Sequence, residues 1–179
     1  MKATGIVRRI DDLGRIVIPK EIRRTMRIRE GDPLEIYTEK DGEVIFKKYS
    51  PMNDLSKFAD NLCETLYKTT EHMTVVCDRD TVLSVYGAPK RELSGRRVSA
   101  ELERIMDARQ MYRRKPGNEV MPVTDTDSAY SVAVAAPILS EGDVMGCVMF
   151  ISSDDTEMGE VEGKLVSTVA RFLGREMEN

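Results

Sequence analysis

Arginine side chains are concentrated near the beginning of the chain, where they are interleaved with β-branched residues. Arg8 and Arg9 follow one such run, Arg15 precedes another, and Arg23 and Arg24 lie a few residues further on. A guanidinium group is a planar fork of N–H donors that fits phosphate oxygens and guanine edges better than an ammonium group does. These arginines are therefore candidates for contact with DNA.

The charge of the chain is distributed unevenly. Residues 1–29 hold nine Lys or Arg and three Asp or Glu, a net charge of +6. The whole chain of 179 residues has a formal net charge of −4, so residues 30–179 carry −10. A basic end on an acidic body indicates one polyanion-binding surface and a remainder that stays off DNA.

Chemistry other than binding has little support in the sequence. His72 is the only histidine, and no Ser/His/Asp or Cys/His set is visible, so we predict no catalytic residues, no metal and no cofactor. Cys63, Cys77 and Cys147 lack Cys-x-x-Cys spacing, and we expect free thiols in a reducing cytoplasm, with a redox sensor as the alternative. No apolar run approaches a membrane span, and residues 1–4 show no signal-peptide stretch.

The elements that must position the arginines are short. We predict strands at 4–10, 15–18, 34–38 and 44–49, a turn at 11–14 and a helix at 20–27, which gives the order β-β-α-β-β. Gly14 can take the positive φ that the first turn requires. With roughly ten large apolar side chains, this segment is thin for a monomer, and pairing with a second copy would complete its core. We expect an intertwined homodimer that presents its arginines twice.

The rest of the chain predicts a second domain of the α+β class. Apolar periodicity predicts helices at 54–68, 99–112 and 157–178, and strands at 73–78, 81–86, 119–124, 130–138 and 143–152. This order indicates an antiparallel sheet with helices to one side, and Asp78 and Asp80 read as a turn between strands. We divide the chain into a DNA-binding and dimerisation domain at 1–50, a linker at 51–55 and a sensory or oligomerisation domain at 56–179.

The first fifty residues resemble a known family. Residues 4–9 (TGIVRR), 13–24 (LGRIVIPKEIRR) and 31–36 (GDPLEI) are similar to the AbrB swapped-hairpin family of bacterial transition-state regulators. The complete layout resembles members that add a GAF-like antiparallel sheet flanked by helices and control transcription late in spore formation, in the forespore. The resemblance implies DNA contact by Arg8, Arg15, Arg23 and Arg24, with Arg9 matching a further basic position. Lys20 and Lys2, in the same basic segment, complete the candidate set.

Several alternatives remain open from the sequence. Arg8 and Arg15 could instead pair with Asp11, Asp12 or Glu21, and Arg23 and Arg24 could be a solvated helix face. Arg27 and Arg29 are expected to be solvated or paired with Glu30 and Asp32. In the second domain, four residues could line a small-molecule pocket or belong to the core, with the core favoured: Cys77, Tyr86, Tyr130 and Met149.

These observations lead to one functional expectation and one alternative. We expect a cytoplasmic, nucleoid-associated transcription regulator, activator or repressor, whose partner is double-stranded DNA. It would be a homodimer through the N-terminal domain and a homotetramer through the GAF-like domain, with a small-molecule effector left open. The alternative is an antitoxin with the same N-terminal fold, but antitoxins end in a short acidic tail rather than in two amphipathic helices.

Overall fold

The computed structural model describes residues 4–126, 129–154 and 156–178, and the chain divides into two units, Met1–Tyr49 and Ser50–Asn179. We call them unit 1 and unit 2. The segment expected to be a linker, residues 51–55, lies within unit 2, where Pro51–Asn53 forms a single 3-10 turn. Met52 is fully buried there in the core.

Unit 1 contains one short helix and one hairpin. Helix α1 spans Lys20–Thr25, and strands β1 (Leu34–Thr38) and β2 (Val44–Lys48) pair antiparallel. The predicted hairpin is confirmed, and Gly42 closes it with φ +81°. The carboxylate of Asp32 accepts hydrogen bonds from the Arg29 backbone N–H (2.8 Å) and from Lys48 Nζ (3.1 Å), which ties the loop before β1 to the end of β2.

The first two predicted strands are not strands in the single chain. Residues 4–10 and 15–18 form neither strand nor helix, and the turn between them is the predicted one, with Gly14 at φ +75°. A strand is defined by hydrogen bonds to a neighbouring strand. Between residues 4 and 18 the described backbone makes two backbone–backbone hydrogen bonds, Asp11 N–H to Arg15 O and Gly14 N–H to Asp11 O. Both belong to the turn, so neither pairs one strand with another.

Unit 1 leaves most of its large apolar side chains in solvent. Pro19 is the one buried residue among the described residues 4–49. Exposure reaches 88% for Val7 and 61% for Ile36. The other exposed large apolar residues of unit 1 are Ile6, Ile10, Leu13, Ile16, Val17, Met26, Tyr37, Val44, Phe46 and Tyr49. As a single copy, residues 4–49 therefore form no apolar core of their own.

Unit 2 is built on a five-stranded antiparallel sheet. The strands are β3 (Met73–Asp78), β4 (Val82–Tyr86), β5 (Tyr112–Arg113), β6 (Ser131–Ser140) and β7 (Asp143–Ser152), in the order β4-β3-β7-β6-β5. The turn before β4 is organised by Asp78, whose carboxylate accepts the Asp80 and Thr81 backbone N–H groups at 2.8 and 2.7 Å. The predicted antiparallel sheet and the predicted turn are both confirmed.

Helices cover both faces of this sheet, not one as expected. On one face lie α2 (Ser56–Thr70) and α5 (Glu160–Glu176), with a buried core that includes Val76, Phe150 and Leu173. On the other face lie the one-turn helix α3 (Lys90–Leu93) and α4 (Ala100–Asp107). The strands are apolar on both sides because both faces are covered, which is why no clean alternation marks a solvent face.

The middle of unit 2 departs from the predicted elements. Helix α4 begins where the Ser99 hydroxyl accepts the Leu102 backbone N–H at 3.1 Å. It ends at Asp107 rather than at residue 112, because the chain turns at Arg109 with φ +54° and enters the edge strand β5. The strand predicted at 119–124 is wrong: that segment makes only isolated bridges, at Pro122 and Thr124.

Helix α5 packs on the sheet through one face. Its first turn is fixed by Glu162, whose carboxylate accepts the Gly159 backbone N–H at 2.7 Å. Val166, Ala170 and Leu173 are buried, whereas Val161 remains largely exposed. Within the part of the chain that the structure describes, no helix is long and apolar enough to cross a membrane.

Candidate nucleic-acid interface

The turn that carries Arg15 is organised by the Asp11 side chain. One carboxylate oxygen, Oδ1, accepts the backbone N–H groups of Leu13 and Arg15 at 3.0 and 2.7 Å. The other, Oδ2, lies 2.8 Å from Arg15 Nε. An aspartate that bonds the backbone N–H two residues on is a recurrent turn former. The sequence indicates Asp11 only as a competitor for Arg15, although its spacing to Leu13 is a signal for this second role.

The same contacts set the ionisation of Asp11 and the direction of Arg15. The Arg15 backbone N–H, and then the Arg15 side chain, hold the pKa of the Asp11 carboxyl below its ordinary value. Arg15 is engaged through Nε alone, and its side chain is 70% exposed. Its terminal amino groups make no hydrogen bond to the described part of the chain. Arg15 therefore pairs with Asp11 and still presents its terminal amino groups to solvent.

The second group of candidates lies on α1. The buried Pro19 precedes this helix, which suits an N-terminus because proline has no backbone N–H to satisfy. Lys20, Arg23 and Arg24 are all exposed. Arg23 and Arg24 point about 100° apart around the helix axis, so a flat ligand would meet one of them more directly than the other. The helix ends at Thr25, shorter than the predicted 20–27, and Arg27 then takes a positive φ of 51°.

The remaining candidates precede the turn. Arg8 and Arg9 are exposed, and neither forms an ion pair with any described residue, so pairing with Asp12 or Glu21 is not seen. Lys2 lies outside the described residues. Six of the seven candidates are thus placed, all at the surface of unit 1, and of these six only Arg15 has an acidic partner in the described chain. The surface combines unneutralised cations with uncovered apolar side chains.

The residues considered for a small-molecule pocket do not share one side of the sheet. Cys77 and Met149 are fully buried in the core beneath α4, and Tyr130 is partly buried against that core. Tyr86 packs in the core on the opposite face. Burial raises the pKa of the Cys77 thiol and raises that of Cys63 to about 12. These facts favour the core interpretation and leave little thiolate for a redox sensor.

Two family models match the chain, one for each part. Residues 54–178 match the model described as stage V sporulation protein T C-terminal, transcription factor. Residues 7–54 match the model described as antidote-toxin recognition MazE, bacterial antitoxin. The transcription-factor model covers more than half of the chain.

Individual relatives agree with this division. The chain is 51% identical over 178 residues to stage V sporulation protein T of Bacillus subtilis (strain 168), which covers 99% of both chains. It is 61% identical over 51 residues to the transition state regulatory protein AbrB of the same organism, covering 28% of this chain and 52% of that protein. The similarity to AbrB is confined to a segment the size of unit 1.

Solved structures identify the fold of the larger part. The GAF domain of a phosphoenolpyruvate-protein phosphotransferase from Coxiella burnetii superimposes with a TM-score of 0.54 at 14% identity, covering 69% of this chain and 82% of that one. At this identity the likeness concerns the fold alone. It agrees with the antiparallel sheet and flanking helices of unit 2, and the predicted GAF-like architecture is confirmed.

Proposed function

The chain belongs to the stage V sporulation protein T family of transcription factors, and we propose that it reads double-stranded DNA through the exposed basic side chains of unit 1, held in a homodimer. It is a regulator of transcription in sporulation. The proposed contacts are made by Lys2, Arg8, Arg9, Arg15, Lys20, Arg23 and Arg24. No catalytic step or cofactor is part of the proposal, and the protein works in the cytoplasm, at the nucleoid.

One observation carries the proposal: unit 1 presents its arginines on a scaffold that is incomplete as a single copy. Its apolar side chains are uncovered, and residues 4–18 lack strand partners. A second copy would bury these side chains and supply the missing backbone hydrogen bonds. The same pairing places every arginine twice about a two-fold axis, which matches a DNA site of two half-sites.

Unit 2 supplies a second assembly surface in this proposal. Phe58 of α2 and Phe172 of α5 stack at 5.4 Å between ring centroids, and Phe172 remains 42% exposed. Leu62 of α2 and Leu165 and Val169 of α5 are also only partly buried and pack against the same core. We call the apolar surface formed by Phe58, Leu62, Leu165, Val169 and Phe172 the α2–α5 face. Docking of two dimers through it would give a homotetramer, and linking two DNA-binding modules raises avidity by up to about 10²–10⁴. A small-molecule effector would act by favouring one docked arrangement over another.

The antitoxin interpretation is weaker. The antitoxin-type model ends at residue 54, and the remainder of the chain is a folded unit that matches a transcription-factor model. The acidic disordered tail expected of an antitoxin is replaced by a buried sheet between two helical layers.

The test is DNA affinity in single alanine variants. Arg8→Ala, Arg15→Ala and Arg23→Ala should each weaken binding of the intact chain to a genomically mapped site, by about 1–3 kcal/mol where the side chain touches a base. Lys40→Ala, which removes an exposed cation at the far hairpin turn, is the matched control and should bind as wild type. With about 6–10 phosphate contacts, raising salt from about 50 to 200 mM should weaken wild-type binding by roughly 10³–10⁵. Wild-type affinity in all three arginine variants would refute the assignment.

A further inference from the structure

Unit 2 carries its positive charge in one stretch of the chain. Residues 87–115, which run from the end of β4 to just past β5, hold nine Lys or Arg and four Asp or Glu, a net charge of +5. The rest of unit 2 holds six Lys or Arg and eighteen Asp or Glu, a net charge of −12. The acidic body that should stay off DNA therefore has one region where a polyanion can approach.

Within that stretch, residues 90–97 form what we call the basic loop, with Lys90, Arg91, Arg96 and Arg97 on either side of a buried Leu93. The loop is fastened to the edge of the sheet. Its backbone exchanges two hydrogen bonds with Val82 of β4, Gly95 N–H to Val82 O at 2.8 Å and Val82 N–H to Arg96 O at 2.9 Å. The Ser94 backbone N–H also bonds Lys90 O at 2.8 Å, which closes the one-turn helix α3 at the start of the loop.

The four cations of the basic loop are exposed, and none forms an ion pair with a described residue, although Glu92 lies among them. Neighbouring arginines behave differently: Arg79 pairs with Asp107 at 2.8 Å, and Arg104 pairs with Glu101 at 3.0 Å. Lys90 interacts electrostatically with Glu64 of α2, whereas Arg91, Arg96 and Arg97 have no acidic partner in the described chain. A loop that is fastened to β4 and carries unpaired arginines gains when an anion binds.

The make-up of the basic loop favours a phosphate backbone over a protein partner. Its large apolar residue, Leu93, is fully buried, and no exposed large apolar side chain occurs at 90–97. Protein interfaces depend on aromatic or apolar anchors at their centre. Three guanidinium groups and one ammonium group instead suit phosphate oxygens, which arginine binds in bidentate fashion.

We propose that the basic loop is a second DNA-contacting surface, which binds phosphates of the same DNA that unit 1 reads. This inference rests on the proposed function. The basic loop alone would bind phosphates weakly, and it is occupied only because DNA held by unit 1 is concentrated near it. The basic loop then adds affinity and salt dependence without adding sequence preference.

The test uses the intact chain with the combined substitution Arg91→Gln, Arg96→Gln and Arg97→Gln. The matched control carries Lys57→Gln, Lys68→Gln and Lys164→Gln, three exposed cations of unit 2 that lie outside residues 87–115. Affinity for a long duplex that contains a mapped site is measured over a range of salt concentrations. The plot of log affinity against log salt should become shallower by about 0.9 for each phosphate that is no longer bound, about 2–3 for the basic-loop variant, and should stay unchanged for the control.

The inference would be overturned if the basic-loop variant kept the wild-type salt slope, or if the slope of the control fell by the same amount. It would also be overturned if the basic-loop variant had a changed solution mass without DNA, because the basic loop would then belong to a protein interface. Arg8→Ala, Arg15→Ala and Arg23→Ala, measured in parallel, separate the two proposals. If all three bind as wild type, the proposed function of unit 1 fails; if they are impaired while the basic-loop variant keeps the wild-type slope, only the present inference fails.

Discussion

Arg15 and Asp11 lie at the two ends of one turn, and their side chains meet only through Arg15 Nε. Fixing one edge of a guanidinium group reduces the rotamer freedom that binding would otherwise have to remove, and it leaves the terminal amino groups directed outward. Asp11 therefore lowers the net positive charge of this surface by one. It also restricts the side chain of Arg15, the arginine that it contacts. Arg8 and Arg9 lack such a partner in the described chain, so no ion pair anchors their side chains there.

The ionisation of Asp11 reports this arrangement. Hydrogen bonds from Arg15 lower the pKa of the Asp11 carboxyl below its ordinary value, so its contribution to the turn is lost only as the pH falls through that lowered pKa. In an NMR titration of the carboxyl carbons, Arg15→Ala should raise the Asp11 midpoint only in part, since the Arg15 backbone N–H, the larger cause, is retained. Arg9→Ala is the control and should leave the midpoint unchanged. A full return of the Asp11 midpoint to the ordinary aspartate value in Arg15→Ala would contradict the dominance of the backbone bond.

At the scale of elements, close approaches decide where glycine is needed. In α5, a Cβ at Gly174 would lie 2.0 Å from the Leu139 carbonyl oxygen, whereas a Cβ at Gly163 would meet only the Met111 side chain, whose Sδ lies at 3.2 Å. The first neighbour is backbone at the end of β6 and cannot move alone. The second is the flexible end of a side chain.

Gly174→Ala should therefore destabilise unit 2 by about 1–3 kcal/mol. The steric cost of placing a Cβ against the Leu139 carbonyl exceeds the free energy gained when alanine replaces glycine in a helix. Gly163→Ala, on the same helix, should be within about 1 kcal/mol of wild type and could be stabilising. Thermal unfolding of the two variants, monitored by circular dichroism, distinguishes them. Equal melting temperatures would mean that α5 does not approach the β6–β7 hairpin this closely.

The sequence predicts most elements of unit 2 because their apolar patterns are long. The strands expected at 73–78 and 143–152 have the predicted bounds, and the final helix, expected at 157–178, spans Glu160–Glu176. The short elements are not predictable in this way: α3 and β5 have too few residues for a period, and residues 119–124 are apolar enough to suggest a strand but make only isolated bridges. At 4–10 and 15–18 the pattern predicts strands that a single chain cannot form, because their partners are absent from it.

The candidate site is predictable in residue type but not in arrangement. Exposure of Arg8, Arg9, Arg15, Arg23 and Arg24 follows from their charge, and the structure places all five at the surface. The anchoring of Arg15 by Asp11 depends on turn geometry, and the attachment of the basic loop to β4 depends on a tertiary contact. Neither can be read from charge counts.

At the scale of the whole molecule, the α2–α5 face should control assembly. Phe172→Ser removes the exposed ring of the Phe58–Phe172 pair and should shift the solution mass of the intact chain from tetramer to dimer, because the docking surface loses its central aromatic. Val120→Ser, which changes an exposed apolar residue outside the α2–α5 face, is the matched control and should remain a tetramer. A wild-type chain that sediments as a dimer would remove the tetramer from the account.

Pairing of unit 1 is the premise on which the DNA-binding surface depends, since one copy has neither a core nor strand partners for residues 4–18. The most direct measurement is the sedimentation mass of residues 1–52, combined with their thermal unfolding at several concentrations. We expect a dimer at low micromolar concentration whose melting temperature rises with protein concentration. A folded monomer under the same conditions would contradict it.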